Sequence, residues 1–94
     1  MTELESKIKD QLLDKLEAEK VRAEIELIDT KSSTLEGVIK LKLSNNEDVS
    51  SELTMMVALT KDFYAAGMKY RKLEERTNRN ALEIEVLIFD ELNK

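Results

Sequence analysis

The densest group of side chains with chemical potential is a basic cluster in the last third of the chain. Residues 69–79 carry five cations against Glu74 and Glu75, a local charge of +3. Cations of this kind neutralise phosphates, and a tyrosine among them can stack on a base. The simpler interpretation is a helix C-terminus whose cations complement the helix dipole. A contact with nucleic acid or a phosphorylated ligand, if one exists, is predicted to use Lys69, Tyr70, Arg71, Lys72, Arg76 and Arg79.

Catalysis and metal binding have few candidate residues. The chain contains no His and no Cys, the side chains that most often supply acid–base chemistry, nucleophiles and soft metal ligands. The acidic pairs Glu24/Glu26 and Glu83/Glu85 are of the type that shares a proton or holds a hard cation. Nothing in the pattern places them in a cleft, so we interpret them as solvated. We predict no enzymatic activity, no catalytic or metal-ligating residue and no cofactor.

A soft apolar surface is the better candidate for function. Methionines and aromatic residues follow helical spacing within residues 53–68, and Met adapts to irregular contacts. A plain core is the competing interpretation. A chain of 94 residues is marginally stable alone, and without Cys it has no disulfides to support it. We therefore predict a homo-oligomer whose interaction residues are Leu53, Met56, Leu59, Phe63, Tyr64 and Met68.

Two segments have the pattern of amphipathic helices. In residues 3–20, a leucine or isoleucine recurs every four residues from Leu4 to Leu16, and Thr2 with Glu5 has capping-box spacing. A longer helix is predicted over residues 47–77, with its own capping box formed by Ser44 and Glu47 and its end at the polar run 76–80.

Three other segments alternate between apolar and charged residues, which is the pattern of a strand. They are residues 23–27, 39–43 and 82–88. A hairpin centred near Ser33 would place Glu24 opposite Lys42 and Glu26 opposite Lys40, and such pairs stabilise a sheet. The predicted fold is α+β: one domain over residues 1–94, in the order α-β-β-α-β, with two helices on one face of a three-stranded sheet. The alternative is an all-α helical bundle, since these segments are also rich in helix formers.

These patterns predict a small accessory or regulatory protein that acts by protein–protein interaction, with itself and with an unidentified protein. The net charge of −5 disfavours binding of nucleic acid by the whole surface. In size and acidity the chain is similar to the small accessory proteins of phages and mobile elements. That similarity makes an acidic inhibitor of a nucleic-acid-handling enzyme, of the anti-restriction or anti-CRISPR type, the alternative function. With no apolar run of transmembrane length and no secretory leader pattern, we expect a cytoplasmic protein without membrane contact.

Overall fold

The computed structural model describes residues 2–94, and two α-helices account for nearly all of them. Helix α1 spans Glu3–Ser44 and helix α2 spans Ser50–Leu92. The capping box predicted at the start of α1 is confirmed. The backbone N–H of Glu5 donates to Thr2 Oγ1 at 3.1 Å, and the Thr2 hydroxyl donates to Glu5 Oε1 at 3.0 Å. One orphan N–H at the helix start, that of Glu5, is thereby satisfied, while the Glu5 carboxylate accepts from the Thr2 hydroxyl rather than from the Thr2 backbone N–H.

The predicted α-β-β-α-β fold is wrong, because the described residues form an all-α helical hairpin without a strand. The three alternating segments all lie inside the helices, and so do Ser33 and the polar run 76–80. Glu, Lys and Leu dominate these segments and favour helix, and no proline interrupts them. The charges pair along the helix instead of across strands, as in the contact of Lys40 with Glu36 at 2.9 Å.

A seven-residue repeat relates the two helices. Alternate steps of three and four residues lead from Leu4 to Lys42 in α1 and from Val49 to Leu87 in α2. All five buried apolar residues lie on this repeat: Val21, Ile39, Val49, Ala66 and Leu73. The spacing is that of a coiled coil, in which one narrow strip of each helix faces the other helix. We call these facing strips the seam.

The connection between the helices is a Schellman turn followed by a new cap. Asn46 adopts a left-handed conformation with φ of 56°, which Asn tolerates better than most residues. Its N–H donates to the Leu43 carbonyl at 3.1 Å, and the Glu47 N–H donates to the Lys42 carbonyl at 2.9 Å. Asp48 Oδ1 then accepts bonds from the Ser50 N–H at 3.2 Å and the Ser50 hydroxyl at 2.7 Å.

The predicted capping box of Ser44 and Glu47 is therefore wrong. Ser44 is the last residue of α1, and its hydroxyl donates backward to the Leu41 carbonyl at 2.7 Å. Asp48 serves as the N-cap of α2, because its short carboxylate reaches the free N–H groups of the first turn.

The chain divides into two compact units, each containing a portion of both helices. We call the turn unit Arg22–Met68, and the terminal unit α1 as far as Val21 together with α2 from Lys69 onward. The prediction of one domain over residues 1–94 stays a prediction. Neither α1 nor α2 contains a stretch that is both long and apolar enough to cross a membrane.

Candidate interaction surface

The seam of the turn unit is mostly apolar. Ile39 and Ala66 are each 8% exposed, and Val49 is 9% exposed. Near the turn the seam ends in an ion pair between Lys42 and Glu52. Their hydrogen bond raises the pKa of Lys42 and lowers the pKa of Glu52, because each group stabilises the charged form of the other.

The seam of the terminal unit combines apolar residues, among them Val21 at 0% and Leu73 at 6% exposure, with charged residues that pair across the helices. Arg76 donates two hydrogen bonds to Asp14. Its Nε donates to Oδ2 at 2.8 Å, and its Nη2 donates to Oδ1 at 2.6 Å. Lys7 pairs with Glu83. These hydrogen bonds raise the pKa of both Lys7 and Arg76. Because an ion pair open to water adds little stability, these ion pairs specify pairing more than they hold the helices together.

The ion pairs of the terminal unit occupy one side of α2. Lys69, Arg76 and Glu83 are spaced seven residues apart, so they lie on the same flank of the helix. Lys69 reaches Glu17 of α1 at 3.3 Å. We call this side the ionic flank. The ion pairs between the two helices of the terminal unit thus lie beside the seam on one side.

Within residues 2–94, the opposite flank of the terminal unit makes no ion pair, and four apolar residues lie there among charged ones. In each heptad that begins at a seam residue such as Leu4, Gln11 or Ile84, this flank holds the fifth residue and, further outward, the second residue. Ile8 and Leu12 of α1 lie there, as do Ala81 and Ile88 of α2. Ile8 is 40% exposed, Ile88 41% and Leu12 58%, all high values for such side chains. We call this side the apolar flank.

Further apolar residues of the terminal unit point away from the seam altogether. Leu12, Leu13 and Leu16 line a shallow groove on the outside of α1 together with Ile8. Of the stripe predicted for the first helix, only Leu4 lies on the seam. On α2 the outward residues, between 59% and 79% exposed, are Leu82, Val86, Phe89 and Leu92.

The predicted interaction residues separate into two groups. Met56, Leu59 and Phe63 lie on the seam repeat of the turn unit. The other three point outward and are between 49% and 67% exposed: Leu53, Tyr64 and Met68. The rings of Phe63 and Tyr64 meet edge to face, with centroids 6.0 Å apart. Met56 and Leu59 thus pack within the hairpin, whereas Phe63, although on the repeat, is 40% exposed.

The predicted basic cluster is divided as well. Lys69 and Arg76 are engaged by carboxylates of α1, and Tyr70 is half-buried on the seam, which removes it from a stacking role. The remaining cations, Arg71, Lys72 and Arg79, are exposed. A contact with phosphate or nucleic acid through the cluster stays a prediction, now with three free cations rather than five.

The acidic pairs form no joint site. Residues two apart on a helix point to different sides, so Glu24 and Glu26 diverge, as do Glu83 and Glu85. Glu83 is already bound to Lys7. Within residues 2–94, no three His, Cys, Asp or Glu side chains come together in an arrangement suited to a metal ion.

Sequence reasoning missed the outward apolar residues of the terminal unit. A detectable signal was present: residues 3–20 contain two apolar stripes, one through Leu4, Ala18 and Val21 and one through Leu12 and Leu16. A helix with two stripes needs two partners.

No protein-family profile, no curated protein and no solved structure matches this chain.

Proposed function

We propose that this protein is a non-enzymatic interaction module of accessory or regulatory type, which self-associates through the outward apolar faces of its helices. The observation that carries the proposal is the amount of exposed surface. The chain exposes 7314 Å², whereas a globular chain of its 10.8 kDa exposes about 5,500 Å². The excess is about 1,800 Å² per chain.

The exposed surface has the chemistry of an interface. Nineteen large hydrophobic side chains among the described residues are at least 40% exposed. Exposed apolar patches mark protein interaction sites, and Ile8, Leu12, Leu13 and Leu16 line one such patch on α1. If two copies each covered the excess, the interface would bury about 3,600 Å² in total, which is the range of obligate homodimers.

A second copy is favoured over a different protein as the first partner. Among residues 2–94 only five apolar residues are buried, fewer than a domain of this size normally uses for its core. A partner that completes the core must be present whenever the chain is folded, and another copy meets that condition. The unidentified protein partner would then bind the assembled exterior, and we place the assembly in the cytoplasm.

Solution mass tests the proposal directly. Size-exclusion chromatography with light scattering should give a mass of at least two chains of 10.8 kDa at micromolar concentration. The midpoint of thermal unfolding should rise with protein concentration, because unfolding is then linked to dissociation. A well-folded monomer at every concentration would contradict self-association.

A matched pair of variants locates the effect on the apolar face. Leu12→Gln combined with Leu16→Gln removes two exposed leucines, and Gln keeps the helix propensity. The mass of this variant's assembly in solution should fall toward that of one chain, while its circular dichroism spectrum stays helical. The control Lys9→Gln changes a neighbouring exposed position and should leave the mass unchanged.

A further inference from the structure

We infer that a second copy of this chain docks on the apolar flank of the terminal unit, with α1 of one copy antiparallel to α2 of the other. The inference rests on the proposed function and adds the face and the register of the assembly. The ionic flank is already occupied by the pairs of Lys7, Asp14 and Glu17 with α2. The charges of the ionic flank already have partners, whereas the flank of Ile8 and Ile88 has apolar surface to bury and charges that are still available to pair between copies.

The ion pairs of the terminal unit show which residues of α1 and α2 lie at the same height along the two helices. We call such residues level with each other. Lys7 pairs with Glu83 and Asp14 with Arg76, and in both pairs the residue numbers add to 90. A twofold axis parallel to the helices would preserve these levels between copies. Each α1 would then lie beside the α2 of the other copy, and every neighbouring pair of helices in the resulting four-helix bundle would be antiparallel.

Charges on the apolar flank are complementary in this register. Glu19 is level with Arg71, and Lys15 is within one residue of the level of Glu74. Within residues 2–94, none of these four side chains makes an ion pair. In the assembly, each acid of one copy would face a base of the other, and each contact would occur twice by symmetry.

One level is unfavourable and supplies an independent test. Glu5 and Glu85 are level with each other, so two like charges would approach between the copies. Glu85→Lys should therefore tighten the dimer, by a few-fold in the dissociation constant. The same substitution would have no such effect if this flank faced water.

Charge reversal tests the register without changing net charge. The first variant combines Lys15→Glu with Glu19→Lys, and the second combines Arg71→Glu with Glu74→Lys. Alone, each variant places like charges at four contacts of its dimer, so its dissociation constant should rise roughly tenfold or more. Mixed together, the two variants should form a heterodimer of wild-type affinity, because each reversed helix meets the reversed helix of the other copy.

Sedimentation equilibrium gives the affinities, and native mass spectrometry with one variant labelled with ¹⁵N identifies the heterodimer. Restored affinity on mixing supports the inference. Variants that dimerise like the wild type would overturn it and leave the proposed self-association intact. Weakened variants that do not recover on mixing would also overturn it, since α1 would not then face α2. A wild-type chain that is monomeric, or associates only with a different protein, would refute the proposed function itself.

Discussion

The turn unit and the terminal unit are built from the same two helices and the same seven-residue repeat, yet their seams differ in composition. In the turn unit the seam holds residues such as Ile39, which is 8% exposed. In the terminal unit the seam holds Lys7, Gln11 and Asp14, while Leu12 on the outside is 58% exposed. Both units expose large apolar side chains and both bury part of their seam, with Val21 fully buried in the terminal unit. They differ in the polar residues that interrupt the terminal seam.

This difference separates stability from specificity. Apolar burial supplies most of the free energy of folding but is not directional. Partly exposed ion pairs contribute little free energy, and they fix which residues meet. The terminal unit therefore combines a register fixed by ion pairs with apolar burial at Val21 and Leu73.

The largest expected effect comes from emptying the apolar seam of the turn unit. Ile39→Ala should lower the free energy of unfolding by about 2–4 kcal/mol, because it leaves a cavity beside buried neighbours. Denaturant titration at fixed protein concentration measures this loss. As an exposed control, Leu13→Ala removes a leucine that is 54% exposed, and it should cost well under half as much. Equal losses would show that burial on the seam does not set the cost.

Replacing polar residues of the terminal seam by leucine should make that seam as apolar as the seam of the turn unit. The repeat places Gln11 and Asn80 at one level of the seam, both half-buried. Gln11→Leu with Asn80→Leu should stabilise the chain by about 1–2 kcal/mol, since apolar burial replaces polar burial. Thermal unfolding measures the gain. The polar level also disfavours shifted registers, so we expect broader amide signals by NMR in this variant. A destabilised variant would show that these amides make the better contact.

A smaller effect is expected from the two glycines, both of which lie in the turn unit. Gly37 and Gly67 are inside helices, and an added Cβ at either would meet no atom within 4 Å. Gly37→Ala should raise the free energy of unfolding by about 0.5–1 kcal/mol through higher helix propensity. Gly67→Ala should raise the free energy of unfolding by a similar amount when the protein is dilute enough to be dissociated. A loss of stability would mean that another helix packs closely at that position.

A small dependence on acid is expected from the carboxylates beside the turn. Bonds from Ser50 lower the pKa of Asp48, and the hydrogen bond from Lys42 lowers that of Glu52. These carboxylates bind fewer protons in the folded chain than in the unfolded chain. Their stabilisation is therefore complete above their ordinary values of 3.8 and 4.5 and is lost as the pH falls through the lowered values. The unfolding temperature of Asp48→Asn should vary less between pH 5 and pH 2.5 than that of the wild type.

Alkali should act on the terminal unit through Lys7. Its pKa is raised by Glu83, so the pair stabilises the fold below the ordinary value of 10.5 and is lost as the pH rises through the raised value. Lys42 of the turn unit titrates in the same direction. Lys7→Gln should reduce the alkaline loss of stability and leave the acid dependence unchanged, which unfolding at pH 11 and pH 3 would show.

The helix start at Thr2 was predictable because a capping box is a local pattern that needs no tertiary information. The three strands were predicted wrongly because Glu and Lys alternate with apolar residues in segments where the three-four spacing is equally present. Ile25 and Ile39 fit both patterns. Local alternation cannot decide between them when the residues are strong helix formers, since helix or strand is then decided by long-range pairing.

The candidate surface was predictable only in part. A helix apolar on several sides indicated that residues 53–68 had more apolar surface than one neighbour could cover. Which of these residues faced α1 depended on the register, which the ion pair of Lys42 with Glu52 anchors close to the turn. The outward position of Leu12 followed from the same register and could not be read from a single stripe.

The Schellman turn at Asn46 sets the order in which the chain can close. Lys42 and Glu52, beside the turn, are ten residues apart in sequence, whereas Lys7 and Glu83 are separated by 76. The entropy lost on closing a loop rises with its length, so contacts near the turn form early and the ion pairs near the chain ends form late. By this route the two helices pair progressively from Asn46 toward the chain ends. The same order in reverse means that amides of the terminal unit should exchange with deuterium before those of the turn unit.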